Sequence, residues 1–328
     1  NLNNYRHTSM HLLQIIYPYN TRFPVRVAAL CVLLLSLNAC TSISWNPMNW
    51  FSDDEVNPPA ELQNIETEVS LRSDWSVSVG NGQGDNYTEI TPTIDGGMIF
   101  AASENGTIAA IEVSTGNTLW RNRLDTTITG GVGAGEGVVM VGTEEAEIVA
   151  LNQATGEVVW RTPVSSEVLS QPQTDGDVVV AQTVDGKLLA LDRETGEQRW
   201  IYETNLPALT LRGTSRPVIT DTGEVIAGFS NGTLVSVAAT DGVWRWEERV
   251  AVPEGQYDID RVIDVDGDLL LDGSRVLAAS YQGNLMAFDI ATGRIVWGME
   301  ASSYHGMDQG FGNIYYSDDR SHLVAVRD

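Results

Sequence analysis

The sequence predicts an all-β fold, a β-propeller of four-stranded blades, and three observations carry that reading. A fifteen-residue pattern recurs at 106–120, 146–160, 186–200, 232–246 and 283–297, ending each time in Trp. The intervals between those Trp residues are 40, 40, 46 and 51 residues, the period of propellers and related repeat arrays. Short apolar runs alternate with glycine turns, and no amphipathic stretch of helical length interrupts them, which disfavours alternating α/β folds.

Each unit reads in the same order. A five-residue strand leads through an acidic or polar residue into a tight turn, and the next strand carries the Trp. Gly116, Gly156, Gly196, Gly242 and Gly293 supply the positive φ that such a turn requires. Another hairpin lies upstream, as where 178–182 precedes Asp185 and Gly186. Four short strands per unit is the content of a propeller blade. Trp120, Trp160, Trp200, Trp246 and Trp297 are read as rings packed between neighbouring blades, each burying roughly 150–250 Å². A ligand-stacking role would not need one ring in every unit. Trp75 matches the same last-strand pattern but has no first three strands before it. The chain stops after a third strand, 322–328. Five complete units and a partial sixth are visible, and the Trp75 strand could close a ring of six.

The chain has 328 residues, 42% of them hydrophobic, enough for a sizeable core. It holds 44 acidic and 19 basic residues, a formal charge of −25. Lys187 is the sole lysine. A surface this acidic repels phosphate backbones, so no nucleic-acid partner is expected. Cys31 and Cys40 are the only cysteines, and His305 and His322 the only histidines beyond them. That rules out a disulfide framework, a zinc-thiolate site and a thiol nucleophile in the propeller.

The first residues read as an address. Arg22 and Arg26 precede the apolar run 27–37. Eleven helical residues reach about 16 Å, too short for a hydrocarbon core of roughly 30 Å. A basic flank, a short apolar run and a small residue at the cut make a secretory signal. The run ends Leu37, Asn38, Ala39, Cys40, which resembles a bacterial lipobox with Cys40 as the lipidated residue. By the same analogy Thr41, not Asp, implies the outer membrane. Residues 1–39 are thus assigned to the signal and upstream sequence, 40–70 to the lipidated Cys and a proline-containing, acidic tether, and 71–328 to the propeller.

Several chemical motifs are weak. Asp264, Asp266, Gly267 and Asp268 resemble the start of a calcium loop. An EF-hand needs Gly at its sixth position and Glu at its twelfth, and Leu269 and Arg275 stand there. Gly131, Gly133, Gly135 and Gly137 form a glycine run, but Glu136 replaces the glycine of a dinucleotide fingerprint and no helix follows. It reads as a blade-edge turn. His305 reads as an ordinary histidine at the start of a strand. No catalytic residue, metal or cofactor is assigned.

The Trp repeat resembles that of quinoprotein propellers. The segments 75–80, 167–172, 207–213, 260–266 and 281–285 are more specific. In order and over roughly residues 30–328, they resemble the BamB family, lipoproteins of the outer-membrane β-barrel assembly machinery. The resemblance implies an eight-bladed propeller, of which about six blades are present here and two are lacking at the C-terminus. It implies a non-catalytic scaffold on the periplasmic face of the outer membrane, lipid-anchored, that assists folding and insertion of outer-membrane proteins. The implied partners are the POTRA domains of BamA, other lipoproteins of the assembly complex, and nascent β-barrel proteins. The residues implied to contact POTRA domains are Leu209, Leu211, Arg212, Asp264 and Asp266. On sequence alone, Leu209 and Leu211 either line the core, with Arg212 paired inward to an acid, or stand as exposed anchors. Two other readings are a quinone-dependent dehydrogenase-like propeller, for which a vicinal Cys pair and cations are lacking, and a periplasmic ligand-binding propeller.

Overall fold

In the computed structural model the chain divides into two units, Asn1–Val56 and Asn57–Asp328. The residues described are 64, 69–84, 89–253, 256 and 262–327. Cys40, Thr41 and the signal therefore lie outside them.

The second unit is built of antiparallel meanders. Blade 1 runs through Thr93–Asp95, Met98–Ala102, Thr107–Glu112 and Thr118–Arg123. Blade 2 comprises Gly133–Gly135, Val138–Gly142, Glu147–Asn152 and Val158–Pro163. Blade 3 comprises Gln173–Thr174, Val178–Thr183, Lys187–Asp192 and Gln198–Glu203. Blade 4 comprises Val218–Ile219, Glu224–Gly228, Thr233–Ala238 and Trp244–Arg249. Blade 5 comprises Leu270–Asp272, Arg275–Ala279, Gly283–Asp289 and Ile295–Ala301. Blade 6 has three strands, Met307–Gly310, Asn313–Ser317 and Leu323–Arg327.

Burial explains the sequence pattern of each strand. Val178–Thr183 is buried at every residue, whereas Gln198–Glu203 turns only Trp200 and Tyr202 inward. A strand covered on both faces reads as a continuous apolar run, and a rim strand alternates. The core is a series of slabs between adjacent blades. One slab joins Val178, Val180, Leu188 and Trp200 of blade 3 to Val225, Ala227 and Val235 of blade 4.

Trp geometry repeats from blade to blade. In each of the first five blades the register slips beside the Trp, as between Ala190 and Leu191, where Ala190 faces Trp200 and Leu191 faces Gln198. This one-residue bulge turns the rim strand and sends the ring toward the next blade. There it lies over that blade's turn glycine. A Cβ added at Gly196, whose φ is +72°, would sit 2.7 Å from Cδ2 of Trp160. Glycine is thus required twice, for its backbone and for the space above it. The indole N–H donates to a backbone carbonyl in that same turn: Trp120 to Gln153 at 2.9 Å, Trp160 to Arg193 at 2.9 Å, Trp200 to Ala239 at 2.7 Å and Trp246 to Ile290 at 2.8 Å. Trp297 packs against the clusters that contain Ile314 and Tyr316 of blade 6.

Trp75 makes the same contact with blade 1. Its indole donates to Val113 O at 3.0 Å, and Gly116 lies beneath its ring. The segment around it is not a strand, which corrects the sequence reading. Trp75, Val77 and Val79 alternate inward as a strand would, but Arg121 bonding to Ser78 O holds the segment instead of a ladder. The ring-closing pairing of this segment with the last strand is not made among the described residues, where Leu323–Arg327 pairs with Asn313–Ser317 alone.

Candidate functional site

The two intervals that exceed the 40-residue period contain the connections into blades 4 and 5, and the fold lays those connections side by side. Four contacts join them. Leu211 N–H donates to Asp264 Oδ2 at 2.6 Å. Gly213 lies against Asp266, so that a Cβ there would be 2.7 Å from Asp266 Oδ2. Ser215 Oγ donates to Gly267 O at 3.4 Å. Arg216 Nε lies 3.3 Å from Asp268 Oδ2. Arg212 reaches the other way, to the connection into blade 3, where Nη2 donates to Glu167 Oε1 at 2.9 Å and Oε2 at 3.0 Å. Arg216 Nη1 donates to Gln171 Oε1 at 3.1 Å in that same connection.

These connections border a cavity of about 460 Å³, with Glu89, Gln171, Arg212, Asp266, Asp268 and His305 in its wall beside Leu169 and Tyr304. His305 Nδ1 is 3.5 Å from Glu89 Oε1, which brings the approach to blade 6 next to the approach to blade 1.

Exposure divides the five residues singled out from the sequence. Leu209 is 43% exposed, and the Arg212 side chain 45%. Leu211 is half-buried. Asp264 is fully buried and Asp266 half-buried. The structure brings all five together, but Asp264 lies beneath the loop, not on a surface open to a partner. That corrects its reading as a contact residue: its carboxylate is occupied in holding the Leu211 amide. Both sequence alternatives for Arg212 hold in part, since it pairs with an acid and remains half-exposed.

The acids are electrostatically unusual. Burial pushes the Asp264 carboxyl up to about 6, against the opposing pull of the Leu211 amide and the Ser230 hydroxyl. Burial, then the charges of Asp264 and Glu89, push Asp266 up to about 8. Burial raises Asp268 as well, with Arg216 pulling it down and Glu89 adding to the rise. Taking a carboxylate out of water favours its neutral form, and a second carboxylate nearby adds to that.

Sequence reasoning missed Glu167, Ser230 and Arg216. Glu167 opens one of the segments that carried the family resemblance, but no spacing rule connects it to Arg212. The glycine run 131–137 forms the innermost strand of blade 2 and its turn, where a Cβ at Gly133 would be 2.0 Å from Pro172 O. The crowding of neighbouring blades, not a phosphate, requires glycine there. Among the described residues no group of three or more His, Cys, Asp or Glu side chains is placed to hold a metal ion.

The family described as outer membrane protein assembly factor BamB matches residues 72–126 and 104–328. Outer membrane protein assembly factor BamB of Pseudomonas aeruginosa is 54% identical over 290 residues, covering 88% of this chain and 74% of that protein. The crystal structure of BamB from Moraxella catarrhalis superposes with a TM-score of 0.68 at 28% identity, covering 72% of this chain and 71% of that one. The quinohemoprotein alcohol dehydrogenase of Comamonas testosteroni gives a TM-score of 0.54 at 16% identity over 75% of this chain and 46% of its own, a likeness of fold alone.

Proposed function

This chain belongs to the family of outer membrane protein assembly factor BamB, and on that premise we propose that it is a non-catalytic scaffold that docks the POTRA domains of BamA through the loop 209–213. The observation that carries this reading is the joining of the two long connections. They form one surface in which Leu209 and Arg212 face outward while Asp264 and Asp266 support them from below. An apolar anchor beside an arginine is the composition of a compact hot spot. Glu167 holds the guanidinium in place, so less side-chain freedom is lost on docking.

A photo-crosslinking residue in place of Leu209, used in intact envelopes, tests the assignment. Crosslinks to BamA are expected there and not from Val159 on the rim of blade 2, which is also exposed. Equal yield from both positions would overturn it.

The anchor reading rests on Cys40 and the residues before it. Cys40→Ala should abolish lipid labelling and release the protein from the outer membrane. A variant that still fractionates with that membrane in cells lacking BamA would overturn the anchor.

A further inference from the structure

The cavity beside the docking loop is walled in part by the approach to blade 6. Two glycines bring that approach against 266–268. A Cβ at Gly267 would be 2.4 Å from His305 O, and one at Gly306 would be 2.8 Å from Asp268 Cβ. Ser303, fully buried, closes the turn, its Oγ donating to His305 O at 3.2 Å. The turn places Tyr304, 46% exposed, in the cavity wall. Its ring is held by two others. It tilts onto the His305 ring at 4.2 Å between centroids and meets Tyr281 edge-on at 6.4 Å. Tyr281 is tied in turn to the acidic connection, its N–H donating to the Asp264 carbonyl at 2.9 Å.

The charged groups of this wall pair off and leave one over. Arg212 is engaged by both oxygens of Glu167, Arg216 by Asp268 and Gln171, and His305 faces Glu89. Asp266 is half-buried, lines the cavity, and makes no hydrogen bond or ion pair among the described residues. Ser170, 8% exposed, lines it too, and its Oγ has no hydrogen-bond partner among the described residues. The cations of the wall are engaged, and what it still offers is a carboxylate, an unmatched hydroxyl oxygen and an aromatic face. The oxygens accept N–H bonds, and the ring face attracts a cation. An anion would meet Asp266 and Glu89, and an apolar group would leave Asp266 unanswered.

We propose that this cavity is a socket for one basic side chain, an arginine or a lysine, of the docked POTRA domain, held between the Asp266 carboxylate and the Tyr304 ring. The inference deepens the docking reading above and rests on it: the loop 209–213 supplies the outward contacts, and the socket beside it fixes the register of the partner. In the free protein, burial and the charges of Asp264 and Glu89 raise the Asp266 carboxyl to about 8. An entering cation favours the ionised form and draws that proton off.

The experiment titrates the full chain against purified POTRA domains of BamA at a pH of about 8.5, above the value at which Asp266 ionises unaided. Asp266→Asn should weaken binding about tenfold and Tyr304→Leu about fivefold. Tyr304→Phe, which keeps the ring, should recover most of the second loss. The thermal midpoint of Tyr304→Leu should stay near that of wild type, because the side chain is half-exposed. The arginines and lysines of the POTRA domains are then changed to glutamine one at a time. One of these changes should weaken binding to wild type about tenfold and cost nothing further against Asp266→Asn, the signature of a direct pair. If Asp266→Asn and Tyr304→Leu bind like wild type while Arg212→Glu does not, the socket is overturned and the docking loop stands. If Arg212→Glu also binds like wild type, the docking reading falls with it. Losses in both socket variants with no coupled arginine or lysine on the partner give the cavity another occupant and overturn the proposal.

Discussion

Blade 3 and the joined connections into blades 4 and 5 solve different problems with different chemistry. In blade 3, Trp200 lies on Gly242, its indole satisfied by Ala239 O. The identical arrangement recurs at Trp75, Trp120, Trp160 and Trp246. In the joined connections nothing repeats: Asp264 is buried, Asp266 and Asp268 are half-buried, and a half-exposed arginine spans two of the approaches to blades. The repeat supplies stability by burying rings, and the departures from it place polar groups that no blade needs. The difference teaches that where the period breaks, the connections are held by polar contacts in place of the docked ring.

The largest effect should fall on the repeat. Trp160→Ala removes a ring that is 8% exposed and should destabilise by about 4 kcal/mol in urea unfolding. Gly196→Val drives a branched side chain into that same ring at a positive φ and should cost about 3 kcal/mol. Either variant retaining wild-type stability would break the comparison, because the seat would then not be a source of stability.

The two regions should also respond to pH in opposite directions. On the rim of blade 3, the Arg199 guanidinium, aided by the Thr195 backbone and hydroxyl, holds the Asp192 carboxyl far below the usual carboxylate range. A depressed carboxylate contributes stability above its unfolded value of about 4, lost as pH falls below that. Asp266, raised to about 8, behaves in reverse: the stability of its neutral form is complete below about pH 4 and is lost as pH rises toward 8. Thermal midpoints measured from pH 3 to pH 9 should show Asp192→Asn flattening the acid side and Asp266→Asn flattening the fall between pH 4 and 8. Exchanged roles would mean the burial assigned to these acids is wrong. The smallest effect belongs to Asp192→Asn, which should lose at pH 7 the same modest stabilisation that disappears from its acid side, because a partly exposed pair moves the midpoint little.

Much of the fold was legible in the sequence because a repeat states its own period. The Trp positions, the turn glycines and the four-strand content were all readable, since each follows from local chemistry repeated five times. The bulge beside each Trp was not, because a single extra residue in a rim strand leaves the apolar pattern unchanged. Trp75 was readable as a docking ring but not as part of an unpaired segment, since inward alternation looks alike with or without a ladder. At the site, Leu209 and Arg212 stood out by pattern and resemblance. The burial of Asp264 did not, because an acid in a long connection is indistinguishable in sequence from a solvated one. Glu167 went unseen because its partner lies 45 residues away in another connection.

The central claim is that the loop 209–213 binds POTRA domains and is not merely blade packing. The most direct measurement is titration of wild type, Arg212→Glu and the double variant Leu209→Ala/Leu211→Ala against purified POTRA domains of BamA, with the thermal midpoint of each alongside. Arg212→Glu should lose about 2 kcal/mol or more of binding, as hot-spot residues do, and the double variant should weaken as well, while the midpoint of Arg212→Glu barely moves. Unchanged affinity in both variants, or a large fall in midpoint that accounts for the loss, would contradict the claim and return the segment to structural duty between blades.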